Sequence, residues 1–379
     1  MTSIENFFFE LLQVAIGCRS KLSAVPTKEE WVTLLEVSVK QSLAGITFAG
    51  VERLPKEQWP EKEIVFQWMA ITAQIEQQNV KTTEVCQQLV KRVEADGFKT
   101  CILKGQSNYA YYSKELKNKR SCGDIDIWVL PKLRGESLRF NDGLKKTILY
   151  VRKINPEGEA LYHHIDYGMY NGTEVEVHFR PSFMFNPIYN NRLQKWFNKM
   201  ADGGWQMAEL PDERGRIPVP SVEFNIIFQL SHIYNHVLHE GIGLRQMVDY
   251  YYVLKKFRDE SLELKDSAKS IELENTLKYL GLWKFAGAVM YVMQEVFALE
   301  SQCMIVPVDE KRGKIILSEI LKGGNFGKYD ADNIKANNRL RKNIQRIKRD
   351  FRMMQYFTSE CLWEPVFRIY HFFWRMRYN

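Results

Sequence analysis

Two aspartates one residue apart, Asp124 and Asp126, sit in the run from Ser121 to Leu130, SCGDIDIWVL. Alternate residues of a strand share a face, so a strand over this stretch points both carboxylates the same way. Such a pair repels, and packing gains nothing from it. A divalent cation turns the repulsion into attraction, because Mg²⁺ takes carboxylate oxygens. Further carboxylates come later, in the stretch from Thr173 to Arg180. There Glu174, Glu176 and His178 alternate with Val175, Val177 and Phe179. Either Glu176 or Glu174 makes a three-carboxylate cluster with the two aspartates, able to hold one or two Mg²⁺ ions. Ions held so bridge a triphosphate and lower the pKa of an attacking hydroxyl.

Groups suited to phosphate stand just upstream. Gly105 lets the backbone approach phosphate oxygens closely. A helix beginning at Ser107 would present free N–H groups and the positive end of its dipole. Ser107 adds a hydroxyl, and Lys104 and Arg120 are candidates to neutralise a departing pyrophosphate.

These groups need a scaffold, and the hydrophobic pattern supplies one. Phe98 to Leu103 reads as a strand, Ile125 to Leu130 as a second, and Leu138 to Val151 as a helix. His163 to Tyr170 and Thr173 to Arg180 flank Asn171-Gly172, a turn pair that tolerates positive φ and so predicts a hairpin. Before this portion the pattern is helical. Thr27 with Glu30 three residues on forms a capping box, and a long helix from about Glu61 to Ala95 ends at Asp96-Gly97. After Pro181 helices return: Val222 to Leu238, Leu244 to Phe257, Leu273 to Leu280, Trp283 to Phe297 and Lys314 to Leu321. The run Gly323-Gly324-Asn325-Phe326-Gly327 reads as a loop, and Asn333 to Tyr378 as two helices hinged near Pro365. The expected fold is α+β: a small mixed sheet in residues 96–185, flanked by an N-terminal helical region, 1–95, and a C-terminal one, 186–379.

Taken together, LKGQSNYAYY, RSCGDIDIWV, the VEVHFRP strand, HIYNHVLHEGIGLRQMVDYYYVL, GGNFG and the terminal HFFWRMR resemble bacterial nucleotidyltransferase-family proteins of the DNA polymerase β-like superfamily. The likeness runs from about residue 60 onward. It implies Mg²⁺-dependent transfer of a nucleoside monophosphate from an NTP, with ATP the expected co-substrate, to a hydroxyl. It implies Asp124 and Asp126 as metal ligands and Glu176, two residues before His178, as the third carboxylate. It places Gly105 at the phosphate turn. Gln106 stands where the superfamily usually has a small residue, and the spacing from turn to Asp124 is longer than usual. The alternative is therefore a catalytically degenerate fold that binds a nucleotide, RNA or a protein. The acceptor expected is a small hydroxylated molecule, sugar-like or antibiotic-like; a protein side chain or an RNA end stays open.

Other features carry less chemistry. His232, His236 and His239 share a helix face, but no carboxylate completes a zinc pattern. Arg245 and Asp249, one turn apart, read as an ion pair. The basic run from Lys335 to Arg352 reads as a solvated face over an apolar stripe, and RNA binding there is the less favoured reading. The aromatic tail from Phe367 to Trp374 reads as core packing or a partner-facing surface. Six scattered cysteines with no CxxC pair fit reduced thiols in a cytoplasmic protein. A net charge of +7 suits polyanionic ligands but discriminates weakly. No long apolar run lacks charges, so no transmembrane helix is expected. Oligomeric state is not legible.

Overall fold

The computed structural model describes residues 2–132, 140–211, 214–239, 241–263, 267–323 and 339–379. The chain forms two compact units, each assembled from three separate segments. One comprises residues 1–77, 113–121 and 232–358; the other comprises 78–112, 122–231 and 359–379.

The second unit holds a four-stranded sheet. Its strands are β1 (Phe98–Leu103), β2 (Ile125–Pro131), β3 (His164–Tyr170) and β4 (Thr173–His178). Their order is β1-β2-β4-β3, with β2 and β4 parallel and the outer pairs antiparallel, so the sheet is mixed as expected. The hairpin turn is Asn171-Gly172, with φ of 47° and 81°. Ile127 lies beside Val177, and Val177 beside Ile165. With Ile125, Val129 and Val175 they form one buried face, closed by Val85, Leu89 and Val93 of the helix Lys62–Ala95 and by Leu144, Ile148 and Val151 of the helix Phe140–Arg152. Burial of these side chains, about 1.5–3 kcal/mol for each large aliphatic one, fixes which face is left for chemistry.

A second, two-stranded sheet in this unit differs from the helical reading after Pro181. It pairs β5 (Gln206–Glu209) with β6 (Arg216–Val219), and Ala208, Ile217 and Val219 join the same core. The terminal helix Thr358–Tyr378 runs through Pro365 without ending. The break in the tail lies before it, between Met354 and Thr358, and not at the proline. Phe367 and Trp374 pack edge-on against Tyr162, while Phe372 and Phe373 are each 62% exposed.

The first unit is helical. The Thr27–Glu30 capping box is present, with the Glu30 N–H donating to Thr27 Oγ1 at 3.2 Å and the Thr27 N–H to Glu30 Oε2 at 2.9 Å. Trp68 donates its indole N–H to the Ala44 carbonyl at 2.8 Å. All six cysteines carry free thiols. Among the described residues no helix is long and apolar enough to cross a membrane. Residues 324–327 of the glycine-rich stretch and 335–338 of the basic run lie outside the described residues, as does the side chain of His239.

Candidate active site

The face of the sheet opposite the core carries the polar groups. Directly opposed residues on neighbouring strands point to the same side. Asp126 lies beside Glu176, and Glu176 beside Asp166, which makes one row of three carboxylates across β2, β4 and β3. Two residues along each strand, Trp128, His178 and His164 form the next row on the same face. Three overlapping sets of side chains bring ligand atoms within 4.8 Å of one another: Asp126, Glu176 and His178; His164, Asp166 and Glu176; and His163, His164 and His178. Carboxylate oxygens with imidazole nitrogens are a donor set that fits a divalent cation.

Asp166 and His164 reach this face because of a bulge. From the turn inward Tyr170 pairs with Thr173 and Gly168 with Val175, but beyond it Asp166 pairs with Glu176 and His164 with His178. Tyr167 is the extra residue. Without the bulge the register would put Tyr167 opposite Glu176 and send Asp166 and His164 to the core side. Gly168 sits at φ 87°, and the Asn155 amide donates to the Asp166 carbonyl at 3.1 Å beside it. A Cβ at Gly168 would lie 3.3 Å from Asn155 Nδ2. Gly168→Ala is expected to cost about 1–2 kcal/mol, read as a lowered urea midpoint. An unchanged midpoint would show that the bulge does not depend on this glycine.

Asp126 is the electrostatic centre. It is 4% exposed, and one of its oxygens accepts from His178 Nε2 at 2.7 Å and from Lys104 Nζ at 2.9 Å. Burial alone would raise its pKa, but Lys104 and His178 outweigh burial and hold the carboxyl well below the usual carboxylate range. His178 also donates Nδ1–H to the Arg180 carbonyl at 3.3 Å, so both ring nitrogens act as donors. Burial would lower its pKa; the hydrogen bonds to Asp126 and Glu176 push it up to about 9. For Lys104 likewise, the pull of burial is outweighed by Asp126, Asp124 and Glu176, and its pKa is raised. His164 lies 3.3 Å from Glu176, yet burial dominates and pushes its pKa down to about 4, leaving a neutral imidazole. Asp124, half-buried just before β2, is pushed up to about 6 by the nearby Asp126 charge and by burial. It belongs to none of the three ligand sets found among the described residues. Glu174 is exposed near the turn, opposite Met169.

The turn after β1 is strained. Lys104 adopts φ 50°, ψ −158°, a region that side chains avoid at a cost of about 1–3 kcal/mol. Gly105 follows at φ 46°. Such strain persists where the surroundings over-determine it, and here it accompanies the Lys104–Asp126 contact. The helix expected from Ser107 is a six-residue 3₁₀ turn, Gly105–Ala110, followed by a four-residue helix, Lys114–Lys117. It therefore offers no α-helical N-terminus to an anion. It offers buried side chains instead. Gln106 and Ser107 are 0% exposed, and neither the Gln106 amide nor the Ser107 hydroxyl has a hydrogen-bond partner among the described residues. A buried polar group left so costs about 1–3 kcal/mol.

Arg120 lies in the helical unit. Its guanidinium donates through Nε and Nη2 to both carboxylate oxygens of Asp249 at 2.6 Å, a buried bidentate pair. Asp249 is thus a partner of Arg120, and Arg245 donates to the Ser121 carbonyl at 3.0 Å. In the same unit His236 and His232 approach Nε2 to Nε2 at 3.0 Å. The groups that sequence reasoning missed are His164 and Asp166. They stand two apart on the strand before Asn171-Gly172, which was a signal, but the bulge decided their face.

A family model described as uncharacterised nucleotidyltransferase matches residues 27–285. No curated protein and no solved structure matches the chain.

Proposed function

We propose that this chain, which belongs to the family of uncharacterised nucleotidyltransferases, transfers a nucleoside monophosphate from an NTP, ATP first among them, to the hydroxyl of an acceptor. The observation that carries this reading is the row of Asp126 and Glu176 on one sheet face, with Lys104 and the strained turn at its edge. In the reaction the acceptor oxygen bonds to the α-phosphorus, the bond to the bridging oxygen breaks, and pyrophosphate leaves. One or two Mg²⁺ ions, held by Asp124, Asp126 and Glu176, would supply charge neutralisation and acidify the attacking hydroxyl. Glu176, whose burial is outweighed by its His178 hydrogen bond so that its pKa is lowered, is ionised and accepts the hydroxyl proton. Lys104 supplies a cation beside the carboxylates. Gly105, at the turn, leaves its backbone open to the approach of phosphate oxygens.

A second reading has one observation in its favour. Lys104 and His178 already neutralise Asp126, as two protein cations would in a degenerate site that binds a nucleotide without turnover. Calorimetry of ATP with and without Mg²⁺, on the wild type and on Asp124→Ala/Asp126→Ala, separates the two. Nucleotidyl transfer expects Mg²⁺-dependent binding that the double variant loses, and pyrophosphate release with an acceptor pool. Metal-independent binding that survives the double variant, without pyrophosphate, overturns transfer and leaves the binding module.

A further inference from the structure

A cavity of about 580 Å³ opens in the sheet unit between the helix Pro187–Asp202 and the terminal helix Thr358–Tyr378. Two chain connections tie it to the site. Arg180, which lines it, accepts through its carbonyl from His178 Nδ1 at 3.3 Å. Tyr162, which also lines it, precedes His163, whose ring lies 5.3 Å from that of His178. The volume is that of a small-molecule site.

The lining has a definite chemistry. Tyr162, Phe185, Phe367 and Tyr370 give aromatic walls. The Tyr162 hydroxyl accepts from Asn190 Nδ2 at 2.7 Å, and Asn190 in turn accepts from the Met184 N–H at 3.2 Å, so this wall is braced by protein bonds. Along the same helix Asn191, Lys195 and Asn198 are exposed at the cavity rim. An amide both donates and accepts, which matches the double capacity of a hydroxyl. Arg180 and Lys195 are cations, and no carboxylate lines the cavity among the described residues. Arg180 is 5% exposed and its guanidinium lies 4.2 Å over the Tyr162 ring, so this positive charge is fixed in the wall.

We infer that this cavity is the acceptor site and that the acceptor is a hydroxylated ring bearing an acidic group, a sugar acid or a sugar phosphate. The inference rests on the nucleotidyl-transfer reading above. Aromatic walls take the ring, the amides take its hydroxyls, and Lys195 takes the anion, with the charge of Arg180, whose Nη1 donates to the Tyr162 carbonyl, behind it in the wall. The same charge disfavours a polycationic amino sugar.

The test uses the full chain without nucleotide and compares glucuronate, glucose 6-phosphate, glucose and glucosamine by ligand-observed NMR and calorimetry. At least one of the two acids is expected to bind about 10-fold more tightly than glucose, with glucosamine weakest. A preference for phosphate alone assigns a sugar phosphate; a preference for the carboxylate alone assigns a sugar acid. Lys195→Glu, on an exposed side chain, is expected to weaken the acid about 10-fold with the melting temperature unchanged. Equal binding of glucose and both acids, or an unchanged affinity in Lys195→Glu, overturns the inference. Calorimetry of Mg²⁺ and ATP on the same sample keeps the two readings apart. ATP binding without acid preference overturns the acceptor class alone. Acid preference without metal-dependent ATP binding overturns the acceptor role and with it nucleotidyl transfer.

Discussion

Asp126→Asn is expected to lower the unfolding free energy by about 3 kcal/mol, whereas Asp124→Asn leaves it within about 1 kcal/mol; both are expected to lower nucleotidyl transfer about 10³-fold. The two aspartates look equivalent in the motif, but their surroundings differ. Asp126 is buried and shares one oxygen between His178 and Lys104. Neutralising it leaves two cations facing each other at the edge of the core, and removing one partner of a buried pair costs about 3–5 kcal/mol. The lower end applies for two reasons. His178 can shed its proton once its partner is gone, and the Lys104 side chain, 21% exposed, can turn its ammonium toward water. Asp124 makes no ion pair among the described residues and is repelled by Asp126, so amide replacement removes no native pair. Urea unfolding of the two variants in chelator measures the difference. Equal loss of stability in both would mean that the Lys104–Asp126–His178 arrangement contributes nothing particular to folding. Under the proposed function the activity loss follows from removing a proposed metal ligand, which would forfeit several kcal/mol of charge stabilisation in the transition state. In Asp126→Asn/Lys104→Met the unpaired lysine is gone too, and part of the lost stability is expected to return while activity does not.

The route to this site shows what a sequence reports and what it leaves hidden. Strand β1 was legible to the residue and β2 to within one, because each is a short apolar run with sharp breaks on both sides. The hairpin was legible because Asn171-Gly172 admits only the turn it makes. The face of Glu176 and His178 followed from alternation alone. The other half of the carboxylate row did not follow, since the face of Asp166 and His164 depends on one extra residue, Tyr167, which no local pattern announces. Strands β5 and β6 are four residues each, and β6 contains Pro218, which argues against a strand on propensity grounds although an edge position tolerates it. The short 3₁₀ segment after Gly105 contains residues that also suit an α-helix, and tertiary burial of Gln106, Ser107 and Asn108 decided between the two. The pairing of Asp249 with Arg120 spans 129 residues of sequence, and no local pattern announces it. Likewise Pro365 marks a hinge by local rules, yet the helix continues because Glu360, Phe367 and Trp374 anchor it on both sides of the proline.

That anchoring makes a second large effect. Glu360 is 2% exposed, and its carboxylate accepts from the Phe185 N–H at 2.6 Å and the Asn186 N–H at 3.3 Å. Burial nevertheless pushes its pKa up to about 7, since the two backbone bonds only partly offset the loss of water. An unfolded glutamate titrates near 4.3. Below that value both states are protonated and the group places no strain on folding. Between about 4.3 and 7 the unfolded state releases a proton that the folded state keeps, so stability falls as pH rises; above 7 the full cost of a buried charge is present. With about 1.4 kcal/mol for each pH unit of that window, the loss comes to about 4 kcal/mol. Glu360→Gln keeps an oxygen to accept from Phe185 and removes the titration. Its stability is therefore expected to match the wild type near pH 4 and to exceed it by about 4 kcal/mol near pH 8. Urea midpoints of both proteins at the two pH values give the comparison directly. A difference that does not change with pH would mean that water reaches Glu360 in the folded protein and that the terminal helix is held by its aromatic contacts alone.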